Sequence, residues 1–480
     1  MKHNYKLAKA VTGALLVLSA GASSAFAATN EELEKQLEAL QKTVESLKQQ
    51  VQSQKVAVPE NIATQDDVEG VRADLENYKY DESRLRERST IKSTRDSTLF
   101  GVVQVRAQAQ NEGTTAGNPA PTSNRSSTFD VPTALLGVRG NLYRDYVDGK
   151  NLDYQFSFTY SKRATAGATS DLNLADAFLR YNFTSTNGGP EIPRFNVTFG
   201  QQLLPFGQEA QSPEDLRPTI NVSQASGRLG LFTRQVGAVI RGDVAPFVDY
   251  GANYRAPLAE YALGVVNGNV SNKVDDNNNK AIIGRAAFTL PVAYNSWLRE
   301  LKAGASFYKG DKNVQLAGTN VDSHGKNDRY GFDIYYNHAP YGVTYEYIQG
   351  RDDFQVGATN TTKEAKSKGH TLTLFYTFGD QFYNSIKSVA KFDDWHPQSI
   401  QPFYRYDYFN PNDSNVTLGG SRGKGDDTVT VNTLGVNWFF AQTTKLQVGI
   451  NHWNYETEKT LTGAKRKDFT ELQAQFQYTF

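Results

Sequence analysis

Apolar and polar side chains alternate one by one in short segments that recur from about residue 97 to the end of the chain. In the clearest segment, apolar Leu152, Tyr154, Phe156, Phe158 and Tyr160 alternate with polar Asp153, Gln155, Ser157 and Thr159. A period of two is that of a β-strand, whose successive side chains point to opposite faces. The sequence therefore predicts an all-β fold over residues 95–480.

Sixteen segments show this pattern, which is enough to close a large β-barrel. They lie near 103–110, 133–142, 152–160, 172–183, 194–202, 235–242, 260–267, 281–290, 300–309, 330–338, 341–350, 369–379, 400–409, 428–440, 444–454 and 471–480. A further candidate at 248–255 would break the even number with which single-chain bacterial barrels close, so we assign it to a loop or an extended neighbouring strand. We predict a transmembrane β-barrel of about 16 antiparallel strands.

The connections between these segments alternate in length, as those of outer-membrane barrels do. Compact turns such as Asp148-Gly149 and Ala339-Pro340 oppose long polar loops at 111–130, 268–280, 310–328, 355–368 and 411–426. A soluble β-sandwich or propeller would also have strands of period two. The 27 Phe, 26 Tyr and 4 Trp favour the membrane barrel, because many lie at strand ends, where membrane barrels have aromatic girdles.

The first 27 residues have the pattern of a cleavable export signal. Three lysines precede an apolar run from Ala10 to Ala20, and Ala25-Phe26-Ala27 is typical of a cleavage site. The run is about 11 residues long, short of the roughly 20 that a spanning helix needs. We expect no transmembrane helix, and we expect export to the bacterial outer membrane.

Residues 28–90 have a different period. Leu33, Leu37, Leu40, Val44, Leu47, Val51 and Val58 lie on heptad spacing, and a weaker run contains Val68, Val71, Leu75, Tyr78 and Leu85. We predict a periplasmic α-helical coiled coil ahead of the barrel. A helical hairpin folded on itself is the alternative, but self-association is favoured because a helix of some 28 residues with one apolar stripe is marginal alone.

Composition and motifs argue against other classes of function. The absence of cysteine excludes disulfides, thiolate metal sites and a cysteine nucleophile. The 51 basic residues balance 51 acidic ones, so no nucleic-acid partner is indicated. The six histidines lack metal-ligand spacing, and neither a Gly-x-Ser-x-Gly motif nor a phosphate-cradling glycine loop occurs. We expect no enzyme, no cofactor and no metal site.

Residues 195–209 resemble the signature of the phosphate-selective porin O and P family. In that family a strand ending in Gly-Gln leads to Pro-Phe and a nearby Glu, which here are Gly200, Gln201, Pro205, Phe206 and Glu209. Residues 176–181 and 434–439 are similar to two further family segments, an Asp-Ala strand and the penultimate hairpin. The resemblance implies a homotrimeric porin of about 16 strands with an N-terminal coiled coil, often one that prefers anions.

The family also ends on an aromatic residue, as this chain does with Phe480. That residue resembles the recognition signal of the barrel assembly machinery. Alternation places Phe480 on the lipid-facing side with Leu472 and Phe476, so we expect it to act in assembly and not in transport. The assembly machinery and outer-membrane lipids are therefore expected partners.

Strand alternation also predicts which cations face the lumen: Arg106, Arg139, Arg180, Arg241, Arg285, Lys302 and Arg405. Guanidinium groups bind phosphate or carboxylate oxygens through paired hydrogen bonds, and rings of Arg or Lys line anion pores. The alternative is that inward acids such as Asp176 and Asp407 pair with these cations, since a polar lumen normally carries mixed charge. Their placement at the narrowest section decides selectivity.

The stretch from Glu209 to Gly230 shows little apolar alternation. Porins commonly fold one extracellular loop into the barrel, and the position of this stretch after the Pro-Phe segment makes it the best candidate. Here we predict the constriction cations to be Arg217, Arg228 and, just beyond, Arg234.

The favoured function is passive diffusion of small hydrophilic solutes, with a modest preference for anions such as phosphate. An alternative is a structural role in which the coiled coil tethers the outer membrane to the cell wall, although we find no dedicated peptidoglycan-binding repeat. A sugar channel would need aromatic side chains along the lumen, whereas most aromatics here fall on the lipid-facing side of the alternation.

Overall fold

The computed structural model describes most of the chain in separate stretches. These are residues 30–56, 65–88, 96–110, 126–144, 151–161, 171–185, 189–212, 216–249, 254–293, 295–338, 340–357, 359–379, 397, 399–414, 428–440, 444–461 and 464–480. The predicted export signal at 1–27 lies outside the described residues, as do most of the predicted loops at 111–130 and 411–426. The chain divides into two compact units, Met1–Arg84 and Leu85–Phe480.

Two helices, α1 (Asn30–Val56) and α2 (Gln65–Arg88), form where the heptad spacing predicts them. α1 is rich in Glu, Lys, Gln and Leu, and α2 in Glu and Arg, all of which favour helix. Their apolar stripes are exposed, with Leu40 at 65% and Val71 at 69%. The described residues therefore do not bury these stripes in a hairpin, and the coiled coil stays a prediction. No described helix is long and apolar enough to cross a membrane.

The second unit consists of a single β-sheet that begins at Asp96 and ends at Thr479. Its strands are β1 (Asp96–Gln110), β2 (Ser126–Arg144), β3 (Asn151–Ser161), β4 (Asp171–Asn182), β5 (Phe195–Gln202), β6 (Gln235–Asp249), β7 (Tyr254–Val266), β8 (Ala281–Thr289), β9 (Lys302–Lys309), β10 (Asp311–Gln315), β11 (Val321–His338), β12 (Tyr341–Gln355), β13 (Thr362–Tyr376), β14 (Phe378–Gly379), β15 (Ser399–Asn410), β16 (Val429–Phe439), β17 (Lys445–Leu461) and β18 (Ala464–Thr479).

The sheet closes on itself, because β1 pairs antiparallel with both β2 and β18. β10 pairs only with the start of β11, beyond the end of β9, and β14 adds two residues after β13. The wall of the barrel therefore has 16 strands, and the predicted fold and strand number are confirmed. Of the candidate 248–255, residues 248 and 249 end β6 and residues 254 and 255 begin β7, so its described residues belong to neighbouring strands.

Two predicted loops are largely strand in the structure. β11 begins at Val321, inside the predicted loop 310–328, and β13 begins at Thr362, inside the predicted loop 355–368. In these extensions the outward side chains are polar, as in the ion pair between Lys326 and Glu364. The apolar-polar alternation disappears there although the backbone ladder continues, which explains why the sequence pattern missed it.

The two faces of the wall differ in chemistry throughout. On β18, Leu472, Phe476 and Tyr478 face outward and are exposed, whereas Gln473 and Gln475 point inward and are buried. Exposed outward apolar residues recur on most strands, including Leu136, Phe199, Leu263 and Leu434. An apolar outer band around a polar interior is the arrangement that a barrel needs in a lipid bilayer.

Candidate functional site in the barrel lumen

The connection from β5 to β6 does not form a hairpin but crosses the interior of the barrel. We call its described residues, 203–212 and 216–234, the inner loop; they include a short helix, α3 (Gln224–Arg228). Gly207 contacts Ser306 on β9, and Gln224 contacts Asp407 on β15. In a ring of 16 strands, β15 lies opposite β5, so the loop spans the full width of the lumen.

The Gly-Gln pair of the signature segment redirects the chain at the end of β5. Gly200 has a φ of 126°, which L side chains rarely adopt, and a Cβ there would clash with the carbonyl oxygen of Ala177. The Gln201 amide donates to the carbonyl oxygens of Leu174 and Ala175 at 2.7 and 2.8 Å. These hydrogen bonds hold the last residues of β5 against β4, and the chain beyond them bends into the lumen.

The Pro-Phe and Glu positions anchor the inner loop to the opposite wall. Phe206 is fully buried and packs on Gly331 of β11, where a Cβ would lie 2.9 Å from its ring. Glu209 forms an ion pair with Arg405 at 2.9 Å and accepts the backbone N–H of Ser223 at 3.0 Å. The signature residues thus have a structural explanation in the docking of this loop.

α3 docks on the inward face of β13 and β15. Ser223 caps its first turn by accepting the N–H of Ser226, and Asp407 accepts the N–H of Gln224 at 2.7 Å. An acidic side chain at this end of a helix is electrostatically favoured. Ala225 lies directly over Gly369, which leaves no room for a side chain on that strand residue.

The next anchors are the carbonyl oxygens of Arg217 and Pro218. Buried Lys445 donates to the Arg217 oxygen at 2.5 Å, and Asn437 and Gln447 donate to the Pro218 oxygen at 2.8 and 3.2 Å. The loop is therefore held against the half of the wall that runs from β9 to β17, and the opposite half is left open.

The open half borders a cavity of about 500 Å³ between the inner loop and β1 to β6. Arg139 of β2, Arg180 of β4 and Arg241 of β6 line it; we call these three residues the arginine belt. Their strands alternate with β3 and β5, which contribute Gln155 and Thr198 to the same wall.

The arginine belt forms no ion pair with any carboxylate of the described residues. Arg139 lies over Phe100 and Arg180 over Phe178, at 5.1 and 5.3 Å from the ring centres. Arg241 donates to the Gln202 side chain at 2.8 Å. Asp153 lies across from Arg180 in the strand register, but its carboxylate accepts from Asn182 at 2.8 Å.

Three of the other predicted lumen cations pair with acids. Arg285 pairs with buried Asp333 at 2.5 Å, Lys302 pairs with Glu260, and Arg405 pairs with Glu209 under the inner loop. Arg106 donates to Gln475 at 2.7 Å. The predicted set therefore separates into cations with a carboxylate partner and cations without one among the described residues, which alternation alone does not distinguish; paired Lys302 also borders a cavity of about 360 Å³.

The three predicted constriction cations do not converge on one cavity. Arg234 lines the 500 Å³ cavity and pairs with Asp176 at 3.1 Å. Arg217 stacks over Phe232 at 4.4 Å and borders a separate cavity of about 180 Å³ on the other side of the loop. Arg228 is exposed on α3 and lies over Phe409 at 5.6 Å.

The acceptors and glycines that seat the inner loop were not singled out by the sequence. Glu346 accepts two loop amides and Asp407 a third, although Asp407 was noted only as an inward acid. Gly331, Gly350 and Gly369 point inward and face Phe206, Leu229 and Ala225 of the loop. A glycine at an inward strand position is the sequence signal that could have indicated this close approach.

At the end of the chain, Phe480 lies on the outward face with its ring over Gly101. The two residues exchange backbone hydrogen bonds of 3.0 and 3.1 Å, which complete the ladder between β1 and the C-terminus. The ring is about half exposed and stacks on Tyr478. Its expected role in assembly stays a prediction.

Comparison with known proteins identifies the family. The sequence profile of the phosphate-selective porin O and P family matches residues 103–480. The chain belongs to this family. Its resemblance to the family is therefore confirmed, and membership places it among the porins of the outer membrane, a class of channels and not of enzymes.

Individual relatives are more distant. Porin O of Pseudomonas aeruginosa is 28% identical over 127 residues, which cover 25% of this chain and 28% of that porin. The high-pH structure of Pseudomonas putida OprB is similar with a TM-score of 0.49 at 11% identity, covering 81% of this chain and 94% of OprB. The trimer form of Vibrio cholerae OmpT gives a TM-score of 0.48 at 11% identity, covering 81% of this chain and 100% of OmpT.

Proposed function

We propose that the barrel allows passive diffusion of small hydrophilic solutes through the outer membrane and that it modestly prefers anions such as phosphate. The observation that supports the anion preference is the arginine belt, which borders the open cavity and lacks ion pairs with the described carboxylates. Fixed cations at a narrow section raise the local anion concentration even when the total charge of the chain is zero.

The range of this effect suits the size of the lumen. The Debye length at 0.15 M salt is about 8 Å, so a permeating ion anywhere in a section of that radius would sense the belt. Guanidinium groups also present paired N–H donors that match the oxygens of phosphate or a carboxylate. The belt would therefore both attract anions and exchange their hydration shell for hydrogen bonds.

Mixed charge in the lumen is the strongest argument against selectivity. The inward acid that lines the open cavity, Asp176, pairs with Arg234. A second carboxylate, that of Asp153, lies across from Arg180 in the strand register. The three arginines of the belt outnumber this one carboxylate, so the charge beside the open cavity is positive on balance.

Reversal potentials of single channels in a salt gradient test the belt. We expect Arg139→Gln with Arg180→Gln to lower the anion-to-cation permeability ratio toward one. Arg241 is kept in this variant because it also donates to the Leu203 carbonyl oxygen at the start of the inner loop. The matched comparison is Arg217→Ala, Arg228→Ala and Arg234→Ala. If this triple variant lost selectivity and the belt variant kept it, the constriction would lie on the loop and the belt proposal would be wrong.

We further propose that the protein is a homotrimer supported by the predicted coiled coil in the periplasm. Seven apolar positions on heptad spacing precede Pro59, and the exposed stripes of α1 and α2 are available for self-association. The barrel assembly machinery and outer-membrane lipids are its proposed partners during and after insertion. The apolar outer band supports contact with lipid, and the terminal aromatic residue supports recognition by the machinery.

A further inference from the structure

Three consecutive backbone N–H groups of the inner loop point at side chains of the barrel wall. The N–H of Gly207 donates to Ser306 Oγ at 3.0 Å. The N–H groups of Gln208 and Glu209 donate to Oε1 and Oε2 of Glu346 at 3.1 and 3.4 Å. Both carboxylate oxygens of Glu346 are thus engaged by the backbone of the loop.

The turn forms a small concavity in which two successive N–H groups, those of Gln208 and Glu209, donate to one carboxyl group. Gly207, which precedes them, has a φ of 57°, in the left-handed region, and its own N–H donates to Ser306. Left-handed residues next to successive N–H groups are a common feature of anion-binding concavities. Anions bind in these concavities because several partial positive charges meet there. Here the concavity is filled by a carboxylate of the protein itself, on a side chain that is only 5% exposed.

Gly207 is adapted to this contact in a second way. A Cβ at this position would overlap Oε1 of Glu346, so any other residue would push the carboxylate out of the concavity. The glycine therefore provides both the backbone conformation and the space, and the loop approaches the wall more closely than a side chain would permit.

The position of this turn affects the open space on both sides of the loop. Gln208 and Glu209 border the 180 Å³ cavity, while Pro205 and Gln211 border the cavity of the arginine belt. A shift of residues 206–209 away from β12 would widen one cavity and narrow the other. The contact with Glu346 therefore holds the segment of the loop that lies between the two cavities.

We infer that Glu346 is a positioning residue whose carboxyl group holds the inner loop by accepting the N–H groups of Gln208 and Glu209, and that its removal frees these two donors for a small carboxylate from solution. The inference rests on the proposed pore function for its electrical readout. The interaction is non-covalent: without Glu346, a carboxylate from solution would accept from the same backbone donors that Glu346 engages in the wild type.

Chemical rescue of Glu346→Ala tests the inference. Acetate has the size of the atoms that this substitution removes. In chloride, we expect the variant to lose the steady current level of the wild-type channel and to show larger current fluctuations. Adding acetate at constant ionic strength is expected to restore the steady level, whereas a bulky carboxylate such as pivalate is not. Glu346→Ala channels that behave as wild type in chloride, or that acetate leaves unchanged, would overturn the inference.

Further variants separate positioning from folding and from bulk salt effects. Glu364→Ala removes an outward carboxylate that pairs with Lys326 and is expected to show no response to acetate beyond that of the wild type. Glu346→Gln fills the concavity with an amide, so we expect partial loss and no rescue. If Glu346→Ala failed to insert, Gly207→Ala would replace it in the test. We expect this variant to show larger current fluctuations, because the added Cβ displaces the Glu346 carboxyl group. Acetate is expected to have no effect, because the same Cβ would displace acetate as well.

A readout independent of conductance distinguishes failure of this inference from failure of the proposed function. Trypsin cleavage after Arg228, which is exposed on α3, reports loosening of the inner loop. We expect Glu346→Ala to be cut faster than wild type and acetate to slow the cut. If the wild-type protein conducted no ions, the proposed pore function would be wrong, but this assay would still test the contact between Glu346 and the loop. Equal cleavage rates for the wild type and Glu346→Ala would show that this contact does not hold the loop.

Discussion

Phe206→Ala offers the most quantitative test of how the inner loop is docked. The Phe206 side chain is completely buried between the loop and Gly331, out of reach of both the lumen and the lipid. Replacing a buried Phe by Ala typically costs about 3–5 kcal/mol. Because the wall keeps its strand hydrogen bonds, this cost falls on loop docking. About 3 kcal/mol corresponds to an increase of roughly a hundredfold in the population of the undocked loop.

Limited proteolysis measures that population when the loop opens and closes faster than it is cut. We expect trypsin to cleave after Arg228 about a hundred times faster in Phe206→Ala, while the barrel stays resistant to heat and protease. The control is Phe199→Ala, which removes an outward ring that is 64% exposed. An unchanged cleavage rate in Phe206→Ala, or a barrel that unfolds with its loop still protected, would refute the docking argument.

The remaining predictions concern other parts of the chain. Deleting residues 28–90 is expected to weaken the oligomer more than the pore; a correctly inserted truncation without channel activity in bilayers would contradict that division. Removing Phe480 is expected to reduce the amount of inserted protein with unchanged single-channel conductance, and altered conductance at normal insertion would show that its outward placement is wrong. Burial raises the pKa of Glu300, in the turn before β9, to about 7. Because its ordinary pKa is 4.5, the folded turn binds this proton more tightly than the unfolded chain, so the turn is expected to lose stability as the pH rises from 4.5 to 7. Amide protection factors measure this loss, and we expect the loss to be absent in Glu300→Gln.

The strands and the phase of their faces could be predicted because they depend on local alternation. Each outward position must be apolar to face lipid, so a segment such as 471–480 specifies its own orientation without knowledge of its neighbours. The pattern failed where that requirement ends, in the extensions of β11 and β13. There the outward side chains are polar, as in the pair Lys326 and Glu364, so the apolar half of the alternation is missing.

The state of the lumen cations could not be predicted from alternation, because it depends on contacts across the barrel. Arg405 and Glu209 are far apart in sequence, and they meet only because the inner loop crosses to the opposite wall. Arg180 and Arg405 have the same inward phase, yet one faces the open cavity and the other is buried beneath the loop. For these two arginines, the docking of the loop, and not the strand register, determines which one borders the open cavity.

The reversal potential of the wild-type channel in a potassium chloride gradient tests the central claim most directly. The full-length protein, purified from outer membranes, would be inserted into a planar bilayer of neutral lipid so that the charge of the lumen alone sets selectivity. We predict a potential with the sign for chloride permeation, because the arginine belt borders the open cavity without ion pairs to described carboxylates. A potential of zero, or one with the sign for potassium permeation, would contradict the proposed preference for anions.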